Sequence, residues 1–591
     1  MDQRIDYAEI GLMAGLEVHQ QLLTTRKLFC RCPAGLFSKT HDASILRHMR
    51  PTLSELGVYD GTALMEFRTK KNIVYLLDRK NTCTYEMDDT PPFLIDEEAI
   101  DVAIEQCLML GCDVVDEVHI ARKQYLDGSI PTGFQRTAIV GVEGKLPFRG
   151  RTLGIIQVSV EEDSCREVSD RGHLAVWRTD RLGMPLIETV TAPDLRTPEE
   201  VEEAILLVGR VCRSTRHVRT GMGASRQDVN VSVRGGTRIE IKGVPKAGWA
   251  PALVHGEAIR QVNLLRLKDA LSERGFRAGA DVAWHEAMVT DLLVDSSWLT
   301  FRSEGFERFC ERERRRSGIE LGVGPFGVRA IRLNRMKGLL AHPTQPDRDF
   351  GDELRGRVRV IAGLDQAPIL IHDDDWPSHR GADRELQAIR ERLGCQPEDA
   401  VVLVWGPQDD TLTAREEITK RVVEATLGVP PETRQPFEDG HTDFERILPG
   451  PDRMYPDTDS PPTALTPEHI DRLRAHLAPP PWEREARHAA ADIPVGLTHR
   501  LIRRGGADLV DAAAPPGTGT ARLRRAAFFF GERLKAWRRA GQLLDRVPEE
   551  RWVELFMAME DDRTLRDFHI ELARRLTAAP ERSFEEAMAP L

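Results

Sequence analysis

The sequence predicts an α+β protein built from several domains. Its 591 residues are enough for about three to five domains at roughly 100–200 residues each. The first ~285 residues alternate short apolar runs with turns, which is typical of strands. The chain after Pro462 instead has the apolar spacing of helices.

The strand-rich first region contains three clear apolar runs. They are Ala14–Leu23, Leu153–Val160 and Arg226–Val233. In the last run, valines at every second position alternate with polar residues, so one face of the predicted strand is apolar.

Two helices are predicted within this strand-rich region. For the first, Thr197 can cap the N-terminus, Pro198 suits the first helical position and Glu200 completes a capping box. The second is predicted over Gly256–Arg274.

The pattern changes from ~285 to ~412. Two apolar runs, Val358–Ala362 and Ala400–Trp405, are predicted strands on either side of a helical stretch at Asp383–Leu393. This arrangement predicts a compact α/β insertion. The turn-rich run Val429–Pro462 that follows is too long and too polar for a simple linker. Beyond it, helices are predicted from Pro467, over Leu523–Leu544 and over Glu549–Met559.

Composition narrows the class of protein. Hydrophobic residues make up 41% and charged residues 30%, as expected of a globular protein with real cores. No apolar run approaches the roughly 18 residues that span a bilayer, and Met1–Asp6 lacks the pattern of a signal peptide, so we expect a cytoplasmic protein with no membrane segment. Nine cysteines are too sparse for a disulfide scaffold, which predicts reduced thiols.

Charge is distributed unevenly along the chain. The net charge is −12, yet the stretch from Ala521 to Ala540 carries seven basic residues against the single acid Glu532. Such a patch can neutralise nucleic-acid phosphates, although a solvated helix face is an alternative explanation. The candidate RNA-contacting residues here are Arg522, Arg524, Arg525, Lys535, Arg538 and Arg539.

Two groups of acids suggest chemistry in the strand-rich region. Glu17 and His19 are two apart on a predicted strand and therefore share a face, where they suit a divalent metal or proton transfer. Val160 precedes three adjacent acids, Glu161, Glu162 and Asp163, which need solvent or a cation because like charges raise one another's pKa. An edge-strand ion pair and solvated loop acids are the alternatives.

Further polar residues end or line other predicted strands. Glu188 closes an apolar run. Arg226, Asp228 and Asn230 share one strand face, and Glu240 and Lys242 share another, which can form the floor of a nucleotide or metal site or simply face solvent. Ser129 and Gln135 lie in a turn-rich loop.

Several familiar motifs are missing from the sequence. It contains neither a P-loop nor a G-x-S-x-G elbow, and no signature of an amidase centre. Cys30, Cys32 and the distant Cys83 supply three thiols where a structural zinc site needs four ligands, so the sequence does not favour zinc there.

Taken together, seven short strings resemble one family, the B/E subunits of tRNA-dependent amidotransferases. Each string is weak alone, but all seven stand in the family's order within the first ~245 residues. They are Gly15–Leu22, Lys27–Pro33, Asp127–Thr137, Val160–Asp163, Asp180–Thr191, Arg226–Ser232 and Glu240–Gly243.

Other segments are similar to the E rather than the B type. The run Tyr85–Pro92 resembles the E form, whereas the B form carries further cysteines there. The insertion resembles the GAD domain of bacterial-type aspartyl-tRNA synthetases around Phe350–Arg357 and Val360–His372. Glu432–Arg434 and Pro449–Pro456 resemble the E-type segment that returns to the catalytic domain.

The resemblance implies a specific domain plan. It consists of an antiparallel-sheet catalytic cradle over 1–284, a GAD-like α/β insertion over 285–412, a return segment over 413–462, a helical domain over 463–524 and a helical tail over 525–591. The tail would bind tRNA.

The resemblance also implies a reaction and its site. ATP phosphorylates the γ-carboxylate of Glu-tRNA(Gln), and ammonia then displaces phosphate to give Gln-tRNA(Gln), normally with Mg²⁺. The family's metal site maps onto Glu17, His19, Glu162 and Glu188, with Asp228 as a fifth catalytic residue. The implied contacts of ATP and substrate are Arg226, Lys242, Arg453, Ser129 and Gln135.

Finally, the resemblance implies partners. Ammonia would come from an asparaginase-like glutaminase, the D-type subunit, in a heterodimer, and tRNA(Gln) would be the nucleic-acid partner. Two alternatives remain open. One is a B-type subunit that also amidates Asp-tRNA(Asn), and the other is a non-catalytic tRNA-binding relative of aspartyl-tRNA synthetase.

Overall fold

The computed structural model describes residues 5–53, 57–293, 311–312, 315, 326–365, 368–376, 381–450, 453–562 and 565–589. The strands are β1 (Met13–Gln21), β2 (Ala43–Arg47), β3 (Asn72–Leu77), β4 (Asp113–Val114), β5 (Glu117–Val118), β6 (Ile120–Gln124), β7 (Phe134–Phe148), β8 (Arg151–Glu162), β9 (Arg166–Arg171), β10 (Leu174–Arg178), β11 (Pro185–Thr191), β12 (Ser225–Ser232), β13 (Ile239–Val244), β14 (Trp284–Met288), β15 (Phe326–Leu333), β16 (Leu370–His372), β17 (Ala400–Pro407), β18 (Glu432–Pro436), β19 (Thr442–Ile447), β20 (Met454–Pro456) and β21 (Thr463–Ala464).

The α-helices are fewer in the first half of the chain and dominate its end. They are α1 (Gly61–Arg68), α2 (Glu97–Met109), α3 (Pro198–Ser214), α4 (Ala250–Glu273), α5 (Phe350–Ile361), α6 (Ala382–Arg392), α7 (Gln408–Leu427), α8 (Pro467–Arg474), α9 (Pro481–Ala489), α10 (Val495–Arg503), α11 (Gly506–Ala513), α12 (Thr520–Phe528), α13 (Leu534–Arg539), α14 (Glu549–Asp561), α15 (Leu565–Ala578) and α16 (Phe584–Met588). The predicted α+β class is confirmed at this level.

The first region is organised around one large sheet of 11 strands. Ten of them run in the order β19-β18-β13-β12-β1-β11-β8-β7-β6-β20, and β4 pairs with β7. All of these pairs are antiparallel except β13 with β18, which is parallel. Strand β1 therefore lies near the middle of the sheet, between β11 and β12.

One face of this sheet is apolar and covered by helices. Leu16 and Val18 on β1 are fully buried on that face, where α2, α3 and α4 pack. Helix α3 begins where predicted, because the Thr197 hydroxyl accepts the backbone N–H of Glu200 and Pro198 occupies the first turn. The predicted capping box is not completed, since the Glu200 carboxylate accepts from the backbone N–H of Arg196 at 2.8 Å. The opposite face carries Glu17 and His19.

A smaller sheet, in the order β2-β3-β10-β9, stands beside the large one. Its buried residues include Tyr75, whose hydroxyl donates to the backbone oxygen of Gly128 at 2.8 Å. This bond ties the small sheet to the loop that carries Ser129.

The predicted insertion is an α/β unit, but one of its predicted strands is wrong. Strands β14, β15, β17 and β16 form an antiparallel sheet packed by α5 and α7, and the predictions at Ala400–Trp405 and Asp383–Leu393 are confirmed. Val358–Ala362, in contrast, forms the end of α5. Asp349 and Asp352 build a capping box there, and Phe350, Leu354, Val358 and Ile361 recur at helical spacing on the buried face.

A buried network of charges joins the insertion to the large sheet. Glu353 on α5 accepts a two-pronged hydrogen bond from Arg260 on α4, with both distances 2.7 Å. It also accepts from Arg421 on α7 at 3.1 Å and from Arg434 on β18 at 3.2 Å. Helices α4, α5 and α7 and strand β18 thus meet at one carboxylate.

The segment after the insertion returns to the large sheet. Strands β18, β19 and β20 occupy its two edges. The boundary expected at 412 falls inside α7, which begins at Gln408 and packs against both α4 and α5.

The C-terminal region is helical, as predicted. Helices α8 and α9 pack on the core of the large sheet through residues that include Ile470 and Trp482. One apolar core spanning Ala491–Ala587 joins α10 and the helices that follow it. The boundary expected at 524 falls inside α12 and inside this core. The long helix predicted over Leu523–Leu544 is divided, because a π-helical turn at Phe529–Arg533 separates α12 from α13, which ends at Arg539. None of the helices in the described parts of the chain is long and apolar enough to cross a membrane.

Candidate active site

The polar face of the large sheet gathers acids from neighbouring strands. In the antiparallel register of β1 with β11, His19 lies opposite Glu188. In the register of β1 with β12, Glu17 lies opposite Asp228. Since directly opposite residues of a sheet project to the same side, the pairing alone brings these side chains together.

His19 forms one group with two carboxylates. Its Nε2 lies 3.1 Å from Glu161 Oε1 and 3.5 Å from Glu188 Oε1. Burial opposes protonation of His19, but the hydrogen bonds to the two carboxylates outweigh it and raise the pKa of His19 well above its usual value. The ligand atoms of the three residues lie within 4.8 Å of one another, close enough to hold one cation.

The structure does not bring Glu162 to this group. Successive side chains of a strand alternate between faces, so Glu161 and Glu162 at the end of β8 point in opposite directions. The Tyr85 hydroxyl donates to Glu162 Oε1 at 2.5 Å, and the Arg136 backbone N–H donates to Oε2 at 3.1 Å. The structure therefore places Glu161, and not the predicted Glu162, beside His19 and Glu188.

Glu17 belongs to a second group, with Asp228 and Glu240. The three ligand atoms again lie within 4.8 Å of one another. Burial, together with the charges of Glu240, Glu188 and Asp228, raises the pKa of Glu17 to about 7. Burial is the largest of these causes, and the three acidic neighbours add to it against the opposing charge of Lys242.

Lys242 balances part of that charge. Its Nζ lies 2.8 Å from Asp228 Oδ2 and 3.1 Å from Glu240 Oε1. The predicted shared face of Glu240 and Lys242 is confirmed by these contacts. Asn230 donates to Glu17 Oε1 at 3.0 Å, as its position on the same face of β12 suggests.

Lys123 on β6 is a cation of the site that the sequence pattern did not reveal. Its side-chain amine makes no ion pair or hydrogen bond with any described residue, yet the charges of Tyr125, Glu161 and Glu188 outweigh its burial and raise its pKa above the usual value. Strand β6 carries basic residues on both faces, so no period-two pattern marks Lys123 in the sequence.

The other predicted contacts lie around the two groups. Arg226 reaches Asp163 Oδ1 at 3.0 Å, and the Arg453 guanidinium stacks 3.9 Å from the Tyr125 ring centroid. Ser129 donates through both its backbone N–H and its hydroxyl to Asp127 Oδ1, at 2.8 and 2.6 Å. Gln135 donates to the backbone oxygen of Glu162 at 2.7 Å.

Apart from Glu162, every residue predicted to contact metal, ATP or substrate lines one cavity of about 1010 Å³. Three residues of the insertion, Arg359, Val360 and Asp365, also line it. The cavity is large enough for a nucleotide together with the end of a second substrate. Its two acid groups, its free lysine and its arginines suit the transfer of a negatively charged group between two bound molecules.

The basic residues of the tail lie elsewhere, on the C-terminal bundle. Four of the six predicted RNA contacts are engaged within the bundle: Arg525 with Glu560, Arg538 with Asp545, Lys535 with Glu532, and Arg522 with the backbone oxygen of Ala513. Arg524 and Arg539 are exposed and make no ion pair with any described residue.

The amino-acid sequence is similar to those of several known proteins. The model of the GatB/GatE catalytic domain matches residues 12–471. The E subunit of the glutamyl-tRNA(Gln) amidotransferase of Methanopyrus kandleri is 41% identical over 508 residues, which is 85% of this chain and 75% of that protein. The E subunit of Methanocaldococcus jannaschii is 34% identical over 99% of this chain and 89% of its own length, and that of Aeropyrum pernix is 37% identical over 100% and 89%.

Proposed function

The chain belongs to the GatB/GatE family, and from that membership and the geometry of its cavity we propose that it activates and amidates the glutamyl group of Glu-tRNA(Gln). The observation that carries the proposal is the meeting of two acid groups, His19–Glu161–Glu188 and Glu17–Asp228–Glu240, with the free amine of Lys123 in one cavity.

The proposed reaction has two steps. The γ-carboxylate of the glutamyl group attacks the γ-phosphorus of ATP, so a new P–O bond forms and the bond to ADP breaks. Ammonia then attacks the acyl phosphate, a C–N bond forms, and inorganic phosphate and a proton leave. Phosphoryl transfer depends mainly on positioning and charge neutralisation, which a polar cavity of this size supplies.

The donor atoms fit Mg²⁺. Carboxylate oxygens are the protein ligands that Mg²⁺ prefers, and each acid group keeps its ligand atoms within 4.8 Å. The pKa of Glu17, raised to about 7 by its burial and its acidic neighbours, indicates negative charge that a divalent cation would neutralise. When bound, Mg²⁺ neutralises charge on the phosphates.

The cations of the cavity have a separate role in this proposal. Lys123 lies in the field of Glu161 and Glu188 without a direct partner among the described residues, so its amine is available to a phosphate oxygen. Lys242 and Arg226 are already engaged by Asp228 and Asp163, and they hold those carboxylates in place. Arg453, stacked on Tyr125, borders the same space.

The proposal also includes partners and domain roles. Because the sequence contains no amidase signature, ammonia is assigned to an asparaginase-like glutaminase, the D-type subunit. The α/β unit of the insertion is assigned to a GAD domain, and the basic surface of the C-terminal bundle to tRNA(Gln). The relatives are named as E-type subunits of a glutamyl-tRNA(Gln) amidotransferase, which favours the Glu-specific reaction over the B-type alternative.

An assay with free ammonia tests the proposal on this chain alone. ATP hydrolysis and Gln-tRNA formation are measured with Glu-tRNA(Gln) and ammonium chloride. Glu188→Gln is expected to lower the amidation rate by at least about 100-fold, because a charge-stabilising group in the cavity is lost. Glu203→Gln, which alters an exposed acid paired with Arg149, is the matched control.

Three outcomes would contradict parts of the proposal. Full activity of both Glu188→Gln and His19→Asn would remove the acid groups from the reaction. Amidation of Asp-tRNA(Asn) at a comparable rate would favour the B-type alternative. Binding of tRNA without any tRNA-dependent ATP hydrolysis would favour the non-catalytic alternative.

A further inference from the structure

Helix α2 ends in a turn that brings two cysteines together. The helix ends at Met109, and Gly111, with a φ of 63°, turns the backbone away from the helix axis. The backbone N–H of Cys112 donates to the Cys107 oxygen at 2.9 Å, and that of Gly111 donates to the Leu108 oxygen at 3.3 Å. These two bonds form a Schellman motif, in which the side chains at the two ends of the turn commonly pack together. Here both of those side chains are thiols.

The two thiols contact each other directly. The Cys107 thiol forms a hydrogen bond with the Cys112 sulfur. Cys107 is fully buried, whereas Cys112 is 8% exposed and lies between two exposed residues, Gly111 and Asp113. Cys112 is therefore on the solvent side of the pair and Cys107 on the side of the core. Both are free thiols.

Strand β7 leaves room for the two sulfurs. A β-carbon at Gly141 or Gly144 would lie within 2.6 Å of a cysteine sulfur, closer than real β-carbons approach. The backbone N–H of Lys145 on the same strand donates to the Leu110 oxygen at 2.8 Å, which satisfies a carbonyl at the end of α2 and fixes that end against the sheet. The backbone thus holds the two thiols in a fixed relative position.

We propose that Cys107 and Cys112 are a reversible oxidation site, at which the two thiols close an intramolecular disulfide. Thiols in contact on a backbone that fixes their relative position meet the geometric requirement for this bond. Only four residues separate the two cysteines, so closure requires no movement of distant segments. The site takes no part in the proposed amidation, and the inference is independent of it.

The surroundings give the two thiols different roles. The hydrogen bond from Cys107 lowers the pKa of Cys112 against the opposing effects of burial and of Asp113. The same hydrogen bond, together with burial, raises the pKa of Cys107 well above its usual value. Because the thiolate is the nucleophilic form of cysteine, Cys112 is the attacking thiol and Cys107 is the resolving thiol.

The oxidant in this proposal is a low-molecular-mass disulfide. The Cys112 thiolate attacks one sulfur of that disulfide, so a mixed disulfide forms and one small thiolate leaves. Cys107 then loses its proton, and its sulfur attacks the Cys112 sulfur and displaces the second small thiolate. Two protein thiols are oxidised to one disulfide, while one small disulfide is reduced to two thiols.

Oxidation at this place acts on a helix behind the polar face of the large sheet. Gln106, the neighbour of Cys107, donates to the Thr189 hydroxyl at 2.5 Å. Thr189 follows Glu188 on β11. A disulfide between the two cysteines restrains the last turn of α2, which carries this contact.

Mapping of the thiols in the full natural chain tests the proposal. The reduced, folded chain is incubated with glutathione disulfide, remaining thiols are alkylated under denaturing conditions, and the peptides are identified by mass spectrometry. We expect a Cys107–Cys112 disulfide that dithiothreitol removes. Recovery of both cysteines in alkylated form, or of Cys112 joined to another cysteine of the chain, would overturn the proposal whatever the folding of any variant.

Two variants separate the roles of the thiols. In Cys107→Ser, the mixed disulfide of Cys112 with glutathione should be at least about tenfold more abundant than in the natural chain, because the resolving thiol is absent. In Cys112→Ser, the buried Cys107 should stay reduced. Cys212→Ser, which changes a buried thiol of α3, is the matched control and should still form the disulfide. A mixed disulfide at Cys107 in place of Cys112 would contradict the assigned roles.

Discussion

Glu161 and Glu162 are neighbours in sequence, yet their side chains lie on opposite faces of the sheet. Glu161 Oε1 is 3.1 Å from His19 Nε2 in the polar cavity, whereas Glu162 Oε1 accepts from the Tyr85 hydroxyl at 2.5 Å. Adjacent acids therefore have different roles, and each can be removed without the other.

We predict that Glu161→Gln raises the Mg²⁺ concentration for half-maximal amidation by at least about tenfold, because a carboxylate oxygen of the His19 group is lost. In Glu162→Gln, one of two donors, the Tyr85 hydroxyl or the Arg136 N–H, faces an amide NH₂ instead of an oxygen. That change should cost about 1–3 kcal/mol of stability and leave the Mg²⁺ dependence unchanged. Titration of activity with Mg²⁺, beside urea unfolding, separates the two. Equal Mg²⁺ curves for both variants would contradict the assignment.

The raised pKa of Glu17 predicts how the free energy of unfolding depends on pH. Its folded pKa of about 7 lies above its ordinary value of 4.5, so ionising it in the folded chain costs free energy. Without a divalent cation this cost builds up as the pH rises from about 4.5 to about 7, and a bound cation removes it.

We therefore expect Mg²⁺ to raise the melting temperature more at about pH 8 than at about pH 5. Glu17→Gln is expected to remove most of that difference, since the amide does not ionise. An equal Mg²⁺ effect at both pH values in the natural chain would show that Glu17 is not part of a cation site.

Lys123 is predicted to act in the chemical step. Lys123→Met should lower the rate constant of ammonia-dependent amidation by about 100- to 1,000-fold, because a cation aimed at developing charge is lost, with a much smaller change in the KM for tRNA. Lys145→Met, which alters an exposed lysine of β7, serves as the control. A change confined to KM would instead place Lys123 in substrate binding.

The exposed arginines of the tail predict the salt dependence of tRNA binding. Neutralising Arg524 and Arg539, which have no acidic partner among the described residues, should reduce the slope of log affinity against log salt by roughly 1–2. Neutralising Arg525 and Arg538, paired with Glu560 and Asp545, should reduce it less. Equal slopes in all variants would indicate a solvated helix face.

The buried carboxylate of Glu353 is expected to stabilise the contact between the insertion and the large sheet. Glu353→Gln leaves Arg260, Arg421 and Arg434 without their shared carboxylate in a buried site. Removal of one partner from a buried ionic group costs about 3–5 kcal/mol, so the urea midpoint should fall clearly. Glu438→Gln, at an exposed acid, should leave the midpoint unchanged.

The sequence predicted local structure best where a physical signal was complete. Thr197 and Pro198 together predict the start of α3, and it begins there. The apolar run Val358–Ala362 looked like a strand because its β-branched residues suit one, but the capping box at Asp349 and Asp352 and the spacing of Leu354 make it a helix.

For the site, the alternation of side chains between the two faces of a strand predicts which residues share a face, but not which face lines the cavity. Glu17 and His19 share a face whichever way the strand turns, and the structure places both in the cavity. With two adjacent acids, the sequence does not show whether Glu161 or Glu162 faces inward. The role of Lys123 depends on contacts between distant segments, which no local pattern encodes.

The parallel pairing of β13 with β18 has a consequence for how the chain emerges from the ribosome. Strand β13 ends at Val244 and its partner begins at Glu432, so roughly 190 residues separate them, which is about 10–40 s of synthesis. Throughout that time β13 is an open edge able to pair with other chains. A nascent chain of this protein is therefore most prone to aggregate, and most in need of a chaperone, while its insertion is being translated.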